Sequence, residues 1–259
     1  MSVLDSIIEG VREDLAARRI PMGKLHEALE VAPPVRDCLP PLLTEQISLI
    51  AEVKRSSPSK GSLASITDPA GLAAQYEEAG AHVVSVLTEQ RRFGGSLADL
   101  DAVRKAVDLP ILRKDFMIED YQFYEARAHG ADVVLLIVAA LSKNQLDDYF
   151  HLAKELGMRS LIEVHTHDEL ERALEISPDI IGVNSRNLKT LDVDAQAFAE
   201  LIPQIPLTIA RVAESGISTR QDVEFAQQCG ATAILVGEAL VRSGSPSVAI
   251  DQLLGRLEL

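Results

Sequence analysis

A short aliphatic run recurs eight times along this chain, beginning near residues 49, 82, 110, 132, 159, 179, 207 and 232, and between the runs lie amphipathic stretches rich in Ala, Leu and Glu. The starts lie roughly 20 to 35 residues apart, which is room for one strand, one helix and two short loops. Repeated strand–helix units lay their strands parallel under a cover of helices, and such strands read as nearly unbroken apolar runs. Eight units in a chain of 259 residues predict an α/β fold of one closed (β/α)8 TIM barrel, a size at which such barrels are single units. Helical periodicity covers residues 4–18 ahead of the first strand, and Pro33-Pro34 and Pro40-Pro41 break any continuation. The expected organisation is a single domain over residues 1–259, with an N-terminal helical extension (1–45) packed on the barrel (46–259).

The helices, expected at residues 69–79, 97–107, 120–129, 143–156, 167–176, 194–202 and 218–229, are punctuated in the sequence. Thr67-Asp68-Pro69 offers an N-cap followed by proline in the first turn. Gly80, Gly130, Gly157 and Gly230 each fall between a helix and a strand, where a left-handed residue closes the helix. Three of them sit in similar phrases, Ala79-Gly80-Ala81, His129-Gly130-Ala131 and Cys229-Gly230-Ala231, a weak internal repeat.

Trp is absent and aromatics are only 4%, so aliphatic side chains must fill the core. The formal charge of −14, without a long basic stripe, argues against a nucleic-acid partner. It also requires that any anionic ligand be met by local cations. Cys38 and Cys229 are too few and too far apart for a disulfide framework or a metal site. The first ten residues lack the pattern of a signal peptide, and the apolar run 133–141 is too short to cross a bilayer. A cytoplasmic protein with no membrane partner is expected, and a monomer is compatible with the sequence.

Function in such barrels lies at the carboxyl ends of the strands. Polar residues crowd these ends: Glu52 and Lys54, Thr88-Glu89, Arg113-Lys114-Asp115, Glu163 and His165, Asn184-Ser185-Arg186, Glu214-Ser215-Gly216, and Gly237-Glu238. Glu52 and Lys54 stand two apart on one strand, so both point to one side. Inward charges are costly unless something pairs with them, and a small anionic substrate would be such a partner. His165-Thr166-His167 is read as a loop histidine and a helix-start histidine rather than as metal ligands, and no metal is expected.

The segments Ala51-Glu-Val-Lys-Arg-Ser-Ser-Pro-Ser-Lys-Gly61, Leu87-Thr-Glu through Phe93-Gly-Gly-Ser-Leu97, Leu112-Arg-Lys-Asp-Phe116, Val183-Asn-Ser-Arg-Asn-Leu188 and Ala213-Glu-Ser-Gly-Ile217 resemble the indole-3-glycerol-phosphate synthase family. The resemblance runs in register from about residue 48 to 240; Ser185 and the tandem Arg91-Arg92 depart from the usual pattern. It implies a lyase of tryptophan biosynthesis that closes the ring of 1-(2-carboxyphenylamino)-1-deoxyribulose 5-phosphate with loss of carbon dioxide and water, using no cofactor. The partner implied is that small anionic sugar phosphate with its anthranilate moiety. By the same resemblance Lys114 is the general acid, Lys54 a second cation that shares the acid role, and Glu163 the base. Glu52 holds the lysine pair, Asn184 and Arg186 orient the substrate, and Phe116 walls the anilino ring. Ser57, Ser215, Gly216, Gly237 and Glu238 are expected around the phosphate, Glu238 through its backbone N–H only. Two other readings stay open: a Schiff-base lyase with Lys114 as nucleophile, and a non-catalytic barrel that binds a phosphate ligand.

Overall fold

The computed structural model describes residues 2–187 and 190–257. Eight strands, β1 (Ser48–Val53), β2 (Val83–Leu87), β3 (Ile111–Lys114), β4 (Val133–Ile137), β5 (Arg159–Val164), β6 (Ile180–Asn184), β7 (Ala210–Glu214) and β8 (Ala233–Val236), pair in parallel and in sequence. β8 returns to β1, with Ser48 opposite Ala233 and Ala51 opposite Val236, which closes the barrel. The helices α1 (Val3–Arg18), α2 (Met22–Glu30) and α3 (Leu39–Leu42) come first. Around the barrel follow α4 (Pro69–Glu78), α5 (Leu97–Ala106), α6 (Tyr121–Ala128), α7 (Lys143–Glu155), α8 (His167–Glu175), α9 (Gln196–Leu201), α10 (Arg220–Gln228), α11 (Glu238–Arg242) and α12 (Pro246–Leu253).

The signals read from sequence act as expected at the helix ends. Asp68 caps α4 by accepting from the Gly71 N–H at 2.9 Å. Gly80, Gly130, Gly157 and Gly230 take left-handed φ values of +82°, +81°, +80° and +98°. The seventh strand begins three residues later than the apolar run suggests, because Leu207 and Thr208 form a turn and Leu207 is 79% exposed.

Strand alternation sorts the residues into two cores. Odd-numbered Leu49, Ala51 and Val53 of β1, with Val84, Val86, Ile111, Val134, Leu136, Ile162, Ile181, Ala213 and Ile234, face outward and pack under the helices. Ile50, Val83, Leu112, Val133, Leu135, Leu161, Ile180, Val212 and Leu235 face inward and fill the barrel. The same alternation continues to the carboxyl ends, where the inward positions become Glu52, Lys114, Glu163, Asn184 and Glu214.

The extension spans the barrel from one end to the other. Leu4, Ile7 and Val11 of α1 bury against the interior cluster at the mouth, and Cys38 and Leu42 join that cluster at the floor, where the Arg36 N–H donates to Asp132 at 2.7 Å. Leu25 of α2 and Leu15 of α1 pack with Tyr121 of α6 between these points. Arg91, after β2, bonds Asp14 and Glu13 of α1 at 2.7 Å each.

Behind β3 lies a buried network. The fully buried Arg113 guanidinium donates to Asp115 and Glu125 at 2.9 Å each and to Thr88 at 3.1 Å. Glu125 also accepts from Arg18 of α1 at 3.0 Å. Replacing Glu125 by Ala strips one partner from a buried cation and unfastens α1. The expected outcome is a loss of about 3 kcal/mol of stability, read from the denaturant midpoint.

Candidate active site

The inward polar positions converge on a cavity of about 470 Å³ at the carboxyl end of the barrel. On β1, Glu52 is buried, and Lys54 turns back to place Nζ 2.5 Å from its Oε1. On β3, Lys114 ends the strand with Nζ 2.9 Å from Glu214 Oε2 and 3.3 Å from Glu163 Oε2. Three buried carboxylates and two ammonium groups thus share one rim. Glycine on β6 and just after β8 makes the room: a Cβ on Gly237 would stand 2.6 Å from Glu52 Oε1, and one on Gly182 would collide with Glu214.

Burial and pairing pull these groups in opposite directions. Burial alone raises Glu52, but the charges of Lys54 and Lys114 outweigh it and hold the carboxyl below its ordinary range. Glu163 is treated alike: burial raises it, while Lys114 and His165 bring it down. Glu214 goes the other way, pushed up to about 7 by burial, against the pull of Lys114 and with the repulsion of Glu163. Burial lowers Lys114, yet Glu214, Glu163 and Glu52 together raise it above its ordinary value.

Every residue singled out in the sequence as catalytic or substrate-binding lines this one cavity. Asn184 is 8% exposed, and its Oδ1 accepts from the Arg186 N–H at 2.9 Å. The Arg186 guanidinium donates to the Leu191 carbonyl at 3.1 Å, so it also braces its own loop; Leu188, the last residue of that motif, lies outside the described residues. Phe116 meets Phe93 with ring centroids 6.2 Å apart and, with Leu4 and Ile7 of α1, forms an apolar wall. Ser57 sits in a short hairpin (Ser56–Ser57 against Gly61–Ser62) that borders the cavity. Ser215 and Gly216 both take left-handed φ, +67° and +70°, and line the cavity together with Gly237 and Glu238. Glu238 pairs with Arg242 one turn on, at 3.0 Å.

His165 and His167 part company. His165 faces inward, with Nε2 3.5 Å from Glu163 Oε1, whereas His167 lies against Gln204 on the outside. Among the described residues no group of three or more His, Cys, Asp and Glu is placed to hold a metal ion. Sequence reasoning gave no role to Glu214, His165, Arg242 or the apolar side chains of α1. Alternation through Ala210 and Val212 was the available signal for Glu214; none existed for α1, whose contacts are set by tertiary packing.

A paired acid–base cluster at the strand ends of a (β/α)8 barrel, against an apolar wall, defines an enzyme acting on a small molecule. Solved structures share the fold at 15% identity: 3-hexulose-6-phosphate synthase (TM-score 0.64, covering 82% of this chain and 100% of that one) and thiamine phosphate pyrophosphorylase from Pyrococcus furiosus (TM-score 0.60, 82% and 95%). The family model for indole-3-glycerol phosphate synthase matches residues 4–253. The indole-3-glycerol phosphate synthase of Rhodococcus jostii is 56% identical over 98% of this chain and 95% of its own length. Indole-3-glycerol phosphate synthase 1 of Streptomyces coelicolor is 54% identical over the same shares. The chain belongs to the indole-3-glycerol phosphate synthase family.

The raised Glu214 has a stability signature. A carboxyl at 4.5 in the unfolded chain and about 7 in the folded one contributes stability that is complete below pH 4.5 and is lost as pH rises through 7. Glu52 and Glu163 slope the opposite way, so the measurement is a difference. Relative to Glu214→Gln, the native chain should lose on the order of 3 kcal/mol between these limits, followed by denaturation at several pH values.

Proposed function

We propose that this chain catalyses the closure of 1-(2-carboxyphenylamino)-1-deoxyribulose 5-phosphate to indole-3-glycerol phosphate, a carboxy-lyase step of tryptophan biosynthesis. One observation carries the reading: Lys114, Lys54, Glu163 and Glu52 face one cavity whose other side is apolar. The anilino nitrogen pushes electrons onto the ring carbon that bears the carboxylate, and that carbon attacks the ribulose carbonyl. The substrate supplies its own electron source and sink, so the chemistry asks the protein for acids, a base and orientation.

As the new carbon–carbon bond forms, negative charge grows on the carbonyl oxygen, and Lys114 meets it with a proton. Its three carboxylate neighbours ensure that it is charged when substrate arrives. Loss of carbon dioxide returns the bonding pair to the ring and restores aromaticity. The hydroxyl then leaves as water with a second proton, from Lys54 or from Lys114 once it has been reprotonated from solvent. Glu163 takes the ring proton from the methylene beside the nitrogen, and that C–H pair becomes the new double bond. Glu52 keeps Lys54 paired and aimed. Asn184 and Arg186 orient the hydroxyls and the carboxylate, and Phe116 with Phe93 holds the anilino ring. The phosphate is met by Ser57, by the backbone at Ser215-Gly216 and Gly237, and by the Glu238 N–H, the Glu238 carboxylate being engaged by Arg242.

We also read the extension and barrel as one domain, supported by their shared core, and the compartment as the cytoplasm, supported by two unpaired cysteines.

Given the anilino-ribulose phosphate alone, the purified protein should generate indole fluorescence. Lys114→Ala should cut turnover by about 10³-fold while still binding product. Normal turnover by that variant would refute the acid assignment, and borohydride trapping of a substrate adduct on Lys114 would favour the Schiff-base mechanism instead.

A further inference from the structure

The Glu163 carboxylate has two faces. Oε2 meets Lys114 at 3.3 Å, and Oε1 looks at His165 Nε2 at 3.5 Å. The opposite edge of the same imidazole is fixed: Nδ1 is 3.1 Å from Glu169 Oε2, which also accepts the His165 backbone N–H at 2.7 Å. A carboxylate only accepts, so Nδ1 carries a proton. A neutral ring in that tautomer would aim the Nε2 lone pair at the Glu163 anion. Nε2 is buried and has no hydrogen-bond partner. A second proton on the ring converts that repulsion into attraction.

We propose that His165 is a positioning residue for Glu163, an imidazolium clasped between Glu169 and Glu163 that keeps the base ionised and turned with its other oxygen toward Lys114. The groups acting most on the ring are Glu163 on β5, Glu169 on α8 and, farther off, Glu214 on β7, while the Lys114 ammonium lies across the Glu163 carboxylate from it. Burial opposes the charge on the ring, but these carboxylates prevail and raise His165 above its ordinary value. The charge in turn holds Glu163 down, together with Lys114. The inference rests on the reading of Glu163 as the base.

The test is the pH profile of kcat/KM for the native chain, His165→Gln and Glu163→Gln. Without the imidazolium, Glu163 protonates more easily, so the acid limb of His165→Gln should move up by roughly one pH unit. The profiles should converge at alkaline pH, where the native ring is also neutral. An unmoved limb, or a uniform drop at every pH, overturns the proposal. NMR titration of the native chain gives a second measurement that needs no variant to fold. His165 should titrate above 6.5, and a midpoint below 6.5 overturns the proposal. If Glu163→Gln keeps full turnover, the base reading fails by itself, and the titration still reports separately whether the ring carries charge.

Discussion

Five charged side chains held largely out of water at one end of a closed barrel set the terms for the rest of this structure. Alone, each would cost several kcal/mol to bury. Together they are tolerated because Lys54 answers Glu52, and Lys114 stands between Glu163 and Glu214. The strands must bring these groups to one level, which the register does: Glu163 lies opposite Gly182, and Asn184 opposite Glu214. Slipping any strand by one residue would turn its charge outward into the helix layer. The charged rim and the apolar outer core therefore enforce one another.

The extension belongs to the same logic. A ring of charges can orient an anion but cannot hold an aromatic ring, and a barrel mouth is otherwise open to solvent. α1 supplies Leu4 and Ile7 as one wall, opposite the charges and beside Phe93 and Phe116. Two ion pairs fasten it: Arg91, in the loop after β2, holds Asp14 of α1, and Arg18 of α1 reaches Glu125 on α6. Glu89 completes the arrangement by accepting three backbone N–H groups from Arg91, Arg92 and Phe93, which sets the loop that carries Phe93.

The fold was legible because aliphatic runs recur roughly every 20 to 35 residues and glycines close several of the helices between them, and each signal has a local cause. The site was legible for a related reason: period-two alternation carries an inward strand directly into an inward acid, as from Ile50 to Glu52 and Leu161 to Glu163. What stayed hidden depends on distance through space. Glu214 looks like Glu163 in sequence, and both pair with Lys114; His165 and Asn184 help hold Glu163 low, whereas burial and the Glu163 charge push Glu214 up to about 7. The side chain of His165 was invisible as a partner because a loop residue after a strand carries no fixed direction, and Glu169 one helical turn away supplies it. Leu207 misled for the opposite reason, an apolar residue that starts no strand because it sits exposed in a turn.

The global charge of −14 and an anionic substrate are reconciled by distance and screening. At physiological salt the Debye length is about 8 Å, so acids spread over the helix surfaces are largely muted at the mouth. Within the cavity the balance is different. Lys54, Lys60, Lys114, Arg186 and Arg242 face Glu52, Asp115, Glu163, Glu214 and Glu238, five against five among the described lining residues. Asp115 is already engaged by Arg113, and Glu214, pushed up to about 7, is partly protonated near neutrality. The residual local charge is therefore positive in an acidic protein. An arriving dianion meets cations whose partners are buried and fixed, and it competes for them with its own phosphate and carboxylate rather than with the distant surface.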